Sequence, residues 1–171
     1  GGAVNASNVQ TALTAFQIKI GQTVASATSS WGNAVTLNNT GGFVVGTGSN
    51  AHTLSVAGAF ATPSTGTVSL SGGVTTTGTG TQTYGAAVVL TGDTILTTAN
   101  QNVVLSTTVD GTTANTQSLI VAAGTGNTTF TGAVGGTTSL KNISVTTGAL
   151  TAAAIQADTL VTVTNSAASA I

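Results

Sequence analysis

The sequence predicts an all-β fold: a β-solenoid of short Thr/Val-rich strands, with a β-sandwich as the alternative. Three observations predict it. The chain of 171 residues carries 38 threonines and no Arg, Glu or Met. β-Branched side chains suit a pleated surface, and the missing residues are the straight-chain helix formers. Short segments with apolar residues at period two are broken by Gly, Asn, Thr and Ser. Finally, one strand–turn–strand unit recurs along the chain, which is the mark of a repeat architecture.

Taken in chain order, the N-terminal stretch fits two patterns. Val9, Leu13, Phe16 and Ile20 fall at helical spacing, with Ser7 or Asn8 as a cap and Gly21 as a stop. Ala15–Ile20 also reads as a strand, with Phe16, Ile18 and Ile20 on one face, and the β-rich context favours it. From Trp31 onward the candidate strands are Ala34–Leu37, Gly42–Val45, Thr53–Val56, Thr67–Leu70, Ala86–Leu90, Thr94–Leu96, Asn102–Leu105, Ser118–Val121, Thr128–Thr131, Asn142–Thr146 and Leu160–Thr164. The pairs Gly41-Gly42, Gly72-Gly73, Asp110-Gly111 and Gly135-Gly136 read as turns between them. Residues 1–30 are expected to be a cap or a strand donated to a neighbour, and residues 31–171 the repetitive β domain.

The repeat favours the solenoid. Asn102-Val-Val-Leu-Ser-Thr-Thr-Val-Asp-Gly111 aligns with Asn127-Thr-Thr-Phe-Thr-Gly-Ala-Val-Gly-Gly136, and Gly66–Val74 gives a weaker third copy. Similar strands, Thr53-Leu-Ser-Val-Ala-Gly58 and Ser118-Leu-Ile-Val-Ala-Ala-Gly124, precede two of these copies. One such unit cannot bury both its faces, whereas stacked copies share a continuous core. Thr75–Thr81 reads as an insertion that interrupts the period.

Composition excludes several function classes. Only 3% of residues are charged and the net charge is −1. Two lysines cannot neutralise a nucleic-acid backbone, and no field exists to steer an ionic substrate. No apolar run approaches the length of a membrane-spanning helix, so no membrane insertion is expected. The absence of Cys removes disulfides and thiolate metal sites. The chain starts at Gly1 with no charged stretch before an apolar run, which reads as a processed or excised piece of a longer precursor.

Thr112–Gly136, with its core Ser118–Gly136, followed by Thr137-Thr-Ser-Leu-Lys-Asn-Ile-Ser-Val-Thr-Thr147, resembles the β-strand repeats of giant bacterial surface proteins, the filamentous-haemagglutinin-like and autotransporter-like adhesins. Thr79-Gly-Thr-Gln-Thr-Tyr-Gly85 with Val88-Val-Leu-Thr-Gly-Asp-Thr94 resembles the preceding element of those repeats. The likeness covers residues 75–165. It implies secretion, a repetitive β fold, and adhesive or structural work without catalysis. It brings no site residues with it.

Read from the residues, no catalytic, cofactor-binding or metal site is expected. Asp93, Asp110 and Asp158 are the only carboxylates. They are too dispersed for the paired chemistry of glycoside hydrolysis, and the first two read as turn residues. One structural Ca²⁺ near Asp110 or Asp93, completed by carbonyls, is the single cofactor reading left open. His52 has Ser49 and Ser55 close in sequence, but no nucleophile elbow accompanies them. Gly78-Thr-Gly-Thr81 and Gly124-Thr-Gly-Asn127 read as turns and not as phosphate loops. Trp31 and Tyr84 would offer a sugar platform if exposed, and read first as packing.

Thr79-Gly-Thr81, Thr81-Gln-Thr83 and Thr162-Val-Thr164 would suit an ice-binding face only at one phase in successive coils, which their spacing does not give. Asn5, Asn38, Asn127 and Asn142 begin glycosylation sequons of low specificity. With Pro63, Lys19 and Lys141 as the only edge-protecting residue types, strand edges are poorly defended against association. The expectation is a non-enzymatic, secreted structural protein of the bacterial cell surface. It would pair with copies of itself through strand edges to build a fibre, surface layer or biofilm matrix, or form part of an adhesin stalk. A glycan- or ice-binding module, with surface glycans as partners, is the alternative.

Overall fold

The computed structural model describes residues 9–12, 18–20, 27–38, 41–63 and 66–168. Among them every regular element is a strand. The strands are β1 (Val9–Ala12), β2 (Ile18–Ile20), β3 (Ala27–Trp31), β4 (Val35–Asn38), β5 (Phe43–Val45), β6 (His52–Val56), β7 (Phe60–Thr62), β8 (Val68–Thr76) and β9 (Gln82–Tyr84). They continue as β10 (Val88–Thr98), β11 (Val103–Leu105), β12 (Val109–Gly111), β13 (Leu119–Ala122), β14 (Thr128–Phe130), β15 (Leu140–Thr147), β16 (Leu150–Ala152) and β17 (Ala157–Asn165). All ladders between them are parallel. The fold is a β-solenoid of about six coils. The sandwich alternative falls, because aligned sandwiches of this kind are built from antiparallel sheets.

Each coil contributes three strand segments, so the solenoid has three faces. Face 1 stacks β1, β4, β7, β9, β11, β14 and β16. Face 2 stacks β2, β5, the starts of β8 and β10, and β12, and continues through the single-residue bridges at Val134 and Ile155. Face 3 stacks β3, β6, the ends of β8 and β10, β13, β15 and β17. Ile18–Ile20 therefore pairs with Phe43–Val45 of its own chain, and β3 crosses position 30 on the same ladders as the rest. Phe16 and Gln17 lie outside the described residues.

The core follows from alternation. A strand sends successive side chains to opposite faces, so each segment places one or two residues inward. Leu54, Val74, Leu96 and Val121 form one buried inward row of face 3. Aromatic rings stack between coils: Phe43 to Phe60 at 5.6 Å between centroids, and Phe60 to Tyr84 at 5.7 Å. Even the inward Gln82 is satisfied. Its Nε2 donates to the carbonyls of Val74 (2.9 Å) and Thr97 (2.8 Å), and its Oε1 accepts from Tyr84 Oη at 2.9 Å.

The repeat seen in the sequence is the stacking register. Val103 pairs with Thr128, Leu105 with Phe130, and Val109 bridges to Val134. The third copy is out of phase: Gly66–Val74 runs along faces 2 and 3, whereas Asn102–Gly111 runs along faces 1 and 2. Thr75–Thr81 is not an insertion, since β8 extends to Thr76 and the remainder turns the corner into β9. Coil length varies most at the corner between faces 2 and 3. Val68 leads to Gly72 within one strand, while Val109 and Leu119 are separated by the loop 112–118. Gly72-Gly73 is accordingly inside β8 and not a turn, and Asp110-Gly111 is inside β12. Gly72 lets the strand bend across that corner: its φ is +104°, and a Cβ would lie 2.4 Å from the backbone of His52.

Corner side chains tie each coil to the next. Asn102 Oδ1 accepts from Asn127 N at 2.8 Å, and Asn127 Oδ1 accepts in turn from Ala149 N at 3.1 Å. Asn100 Oδ1 takes Thr125 N at 3.1 Å. These bonds satisfy backbone donors that the strand ladders leave over where the chain turns.

Candidate functional site

The residues singled out from sequence are not gathered into one place. Asp93 Oδ1 accepts from Ser118 N at 2.8 Å, and Asp110 Oδ1 accepts from Thr137 N and Thr138 N at 2.9 and 3.0 Å. Both carboxylates thus tie their own coil to the following one. Asp158 is exposed on β17, beside the Thr159 hydroxyl. Among the described residues no three His, Asp or Glu side chains come together as a metal cluster.

His52 points into the solenoid and is buried. Its Nε2 lies 3.0 Å from Ser29 Oγ, on the neighbouring strand β3. Ser29 was not singled out, because it stands one coil away in sequence. Ser49 is an exposed loop residue and Ser55 points to the outer side of β6, so neither is the partner expected from proximity. His52 Nδ1 has no hydrogen-bond partner, and burial lowers the imidazole pKa below its usual 6.5. The buried pair therefore lacks the oriented acid that a triad needs. Trp31 and Tyr84 are also in the core, so neither offers an exposed sugar platform. Burial pushes the Tyr84 phenol pKa well above 10.

The outer surface of face 3 carries the arrangement that the sequence hid. One outward row runs Thr28, Thr53, Gly73, Ile95, Ile120, Ser144 and Thr162. The adjacent row runs Ser30, Ser55, Thr75, Thr97, Ala122, Thr146 and Thr164. Hydroxyl pairs do share one phase at both ends of this face, where the sequence spacing suggested none. They are interrupted in the middle coils by Gly73, Ile95, Ile120 and Ala122. Of the Thr-x-Thr pairs noted in sequence, only Thr162–Thr164 belongs to these rows.

The interruption is a groove of about 730 Å³. Gly73, Ile95 and Ile120 form its floor, with Asp93, Ser118 and Asn142 on the side toward the corner. Ile95 and Ile120 are 45% and 40% exposed, and Leu160, at the far end, is 56% exposed. Asp93 reaches the rim because β10 bulges: Leu90 pairs with Leu70 and Thr94 with Gly72, so Thr91–Asp93 lie opposite Ser71 alone. One signal could have found the floor. In Leu119-Ile120-Val121 the alternation fails, and two inward residues force the large apolar residue between them outward. Compared with known proteins, the chain has no match: no family model, no curated protein and no solved structure is similar to it.

Proposed function

We propose that the chain is a non-enzymatic, secreted structural protein of the bacterial cell surface. It builds a fibre, surface layer or matrix by stacking solenoids end to end. The observation that carries this reading is the last described coil. β17 pairs with β15 on one side, and its side chains are exposed or only half-buried throughout. Leu160 and Val161 are 56% and 44% exposed, while Ile155, Ala157 and Val163 only partly cover the core below them. β17 carries neither Lys nor Pro to oppose pairing. At the other end, β1, β2 and β3 present the same three faces in parallel orientation. A second copy seated there continues every ladder, and a head-to-tail contact that does not close gives filaments. In an adhesin stalk the same edges would be continued by the chain itself.

The test is electron microscopy of the chain at neutral pH, with and without Val163→Lys. Regular filaments or sheets that disperse in the variant are expected, because a lysine at an inward position of the last coil places a charge where the next solenoid would stack. Single particles of the unmodified chain at all concentrations would overturn the reading.

A further inference from the structure

We propose that the groove on face 3 binds an extended, uncharged polysaccharide chain lying along the solenoid axis. Gly73 lies on the floor of this groove. Its neighbour Gly72 is demanded by backbone conformation, but Gly73 is not. It has no positive φ, and a Cβ there would meet Thr53 Oγ1 at 3.4 Å and the Ile95 carbonyl at 3.5 Å, both ordinary contacts. Glycine inside a strand weakens it, and often marks a place where something approaches the backbone closely. Here the missing side chain keeps a notch open between Thr53 and Ile95, in a row where the other described positions all carry side chains.

The shape of the groove selects a linear ligand. Its lining extends from Thr53 on β6 to Leu160 on β17. That path crosses five strand-to-strand steps of about 4.8 Å each, or roughly 24 Å. Each step is close to the length of one pyranose unit in an extended chain, so successive coils meet successive sugars.

The chemistry selects a neutral one. Isoleucines form the floor, and hydroxyl and amide groups of Thr75, Thr97, Ser118 and Asn142 stand beside it. An apolar surface with a few placed polar groups is the usual composition of a ligand site. It suits the C–H face and hydroxyl rim of a sugar ring. No cation lines the groove, so a polyanion finds no partner there, and its one carboxylate, Asp93, already accepts from Ser118 N. A peptide strand is also disfavoured. The floor strands β8, β10 and β13 are each paired on both sides, so no backbone edge is open for strand addition.

The test is isothermal titration calorimetry with four neutral hexasaccharides: cellohexaose, laminarihexaose, mannohexaose and chitohexaose. Hexagalacturonate serves as the anionic comparison. At least one neutral hexasaccharide should bind with Kd at or below about 1 mM. Gly73→Thr, which fills the notch, and Ile120→Asp, which charges the floor, should each weaken binding tenfold or more. Thr129→Ala, on the outer side of face 1, should leave it unchanged. Circular dichroism checks that each variant folds, and two groove variants guard against loss of one. Absence of binding by all four neutral sugars, equal binding of hexagalacturonate, or indifference to Gly73→Thr would overturn the proposal. Gly73→Thr should still form whatever filaments the unmodified chain forms, so failure of this site and failure of end-to-end stacking are distinguishable.

Discussion

The coils around β7 and β9 and the coil of β16 and β17 share one ladder geometry but differ in what covers them. Phe60 and Tyr84 are fully buried, each with inward side chains stacked above and below. Val163 on face 3 and Ile155 on face 2 point inward in the last described coil and are only partly buried. Residue type does not explain this, since valine is buried wherever it points inward in the middle coils. Coverage does. In a solenoid each coil contacts only its neighbours, so burial is a property of a stacked pair and not of a single coil.

The largest effect should come from the middle. Phe60→Ala removes a ring held between Phe43 and Tyr84, and should cost about 3–5 kcal/mol in urea denaturation. Val163→Ala, in the last coil, should cost less than about 1 kcal/mol, because only part of its apolar area is withdrawn from water. Equal costs would break the comparison. If the chain stacks end to end, the Val163 effect should rise with protein concentration, which sharpens it.

The adjacent glycines give the next contrast. Gly72→Ala forces a side chain onto a positive φ and against the His52 backbone, and should cost about 1–3 kcal/mol or more. Gly73→Ala should be neutral or stabilise by about 0.5–1 kcal/mol, since alanine is better than glycine within a strand. A pair of thermal melts decides both.

A smaller gain is expected at Thr128. It is fully buried on face 1, and its hydroxyl has no hydrogen-bond partner. Thr128→Val should stabilise by about 1 kcal/mol, the order of cost of a buried unpaired hydroxyl. The same change at the outward Thr129 should be near neutral by the same measurement.

The smallest effect is a pH slope. The folded His52 pKa lies below the unfolded value of 6.5, so the unfolded chain takes up a proton first. Stability is therefore fully present above about 6.5 and declines as pH falls through it. His52→Leu should flatten that slope in urea midpoints measured across the same range. A slope that persists in the variant would place its origin elsewhere.

Much of this was legible beforehand for a local reason. Alternation of apolar and polar residues is set by the pleat, so Thr53–Val56 or Asn142–Thr146 reads as a strand without knowledge of its neighbours. The short strands Phe60–Thr62, Gln82–Tyr84, Val109–Gly111 and Leu150–Ala152 did not read so. Gln82 and Thr62 point inward despite being polar, and Val109–Gly111 carries the Asp-Gly pair that reads as a turn. Ser29 and His52 likewise met only through stacking.

The all-β class, the Thr-rich outer surface and the register that sets Asn102–Gly111 over Asn127–Gly136 follow from the residues alone. Two coils of equal length carry their register openly in the spacing of their motifs. Which residues share an outward row depends on the stacking of the coils, because the corner between faces 2 and 3 changes length from coil to coil. Thr53, Gly73, Ile95, Ile120 and Ser144 are unequally spaced along the chain but adjacent in space. Hydrogen bonding between parallel strands fixes that alignment, and no local pattern records it.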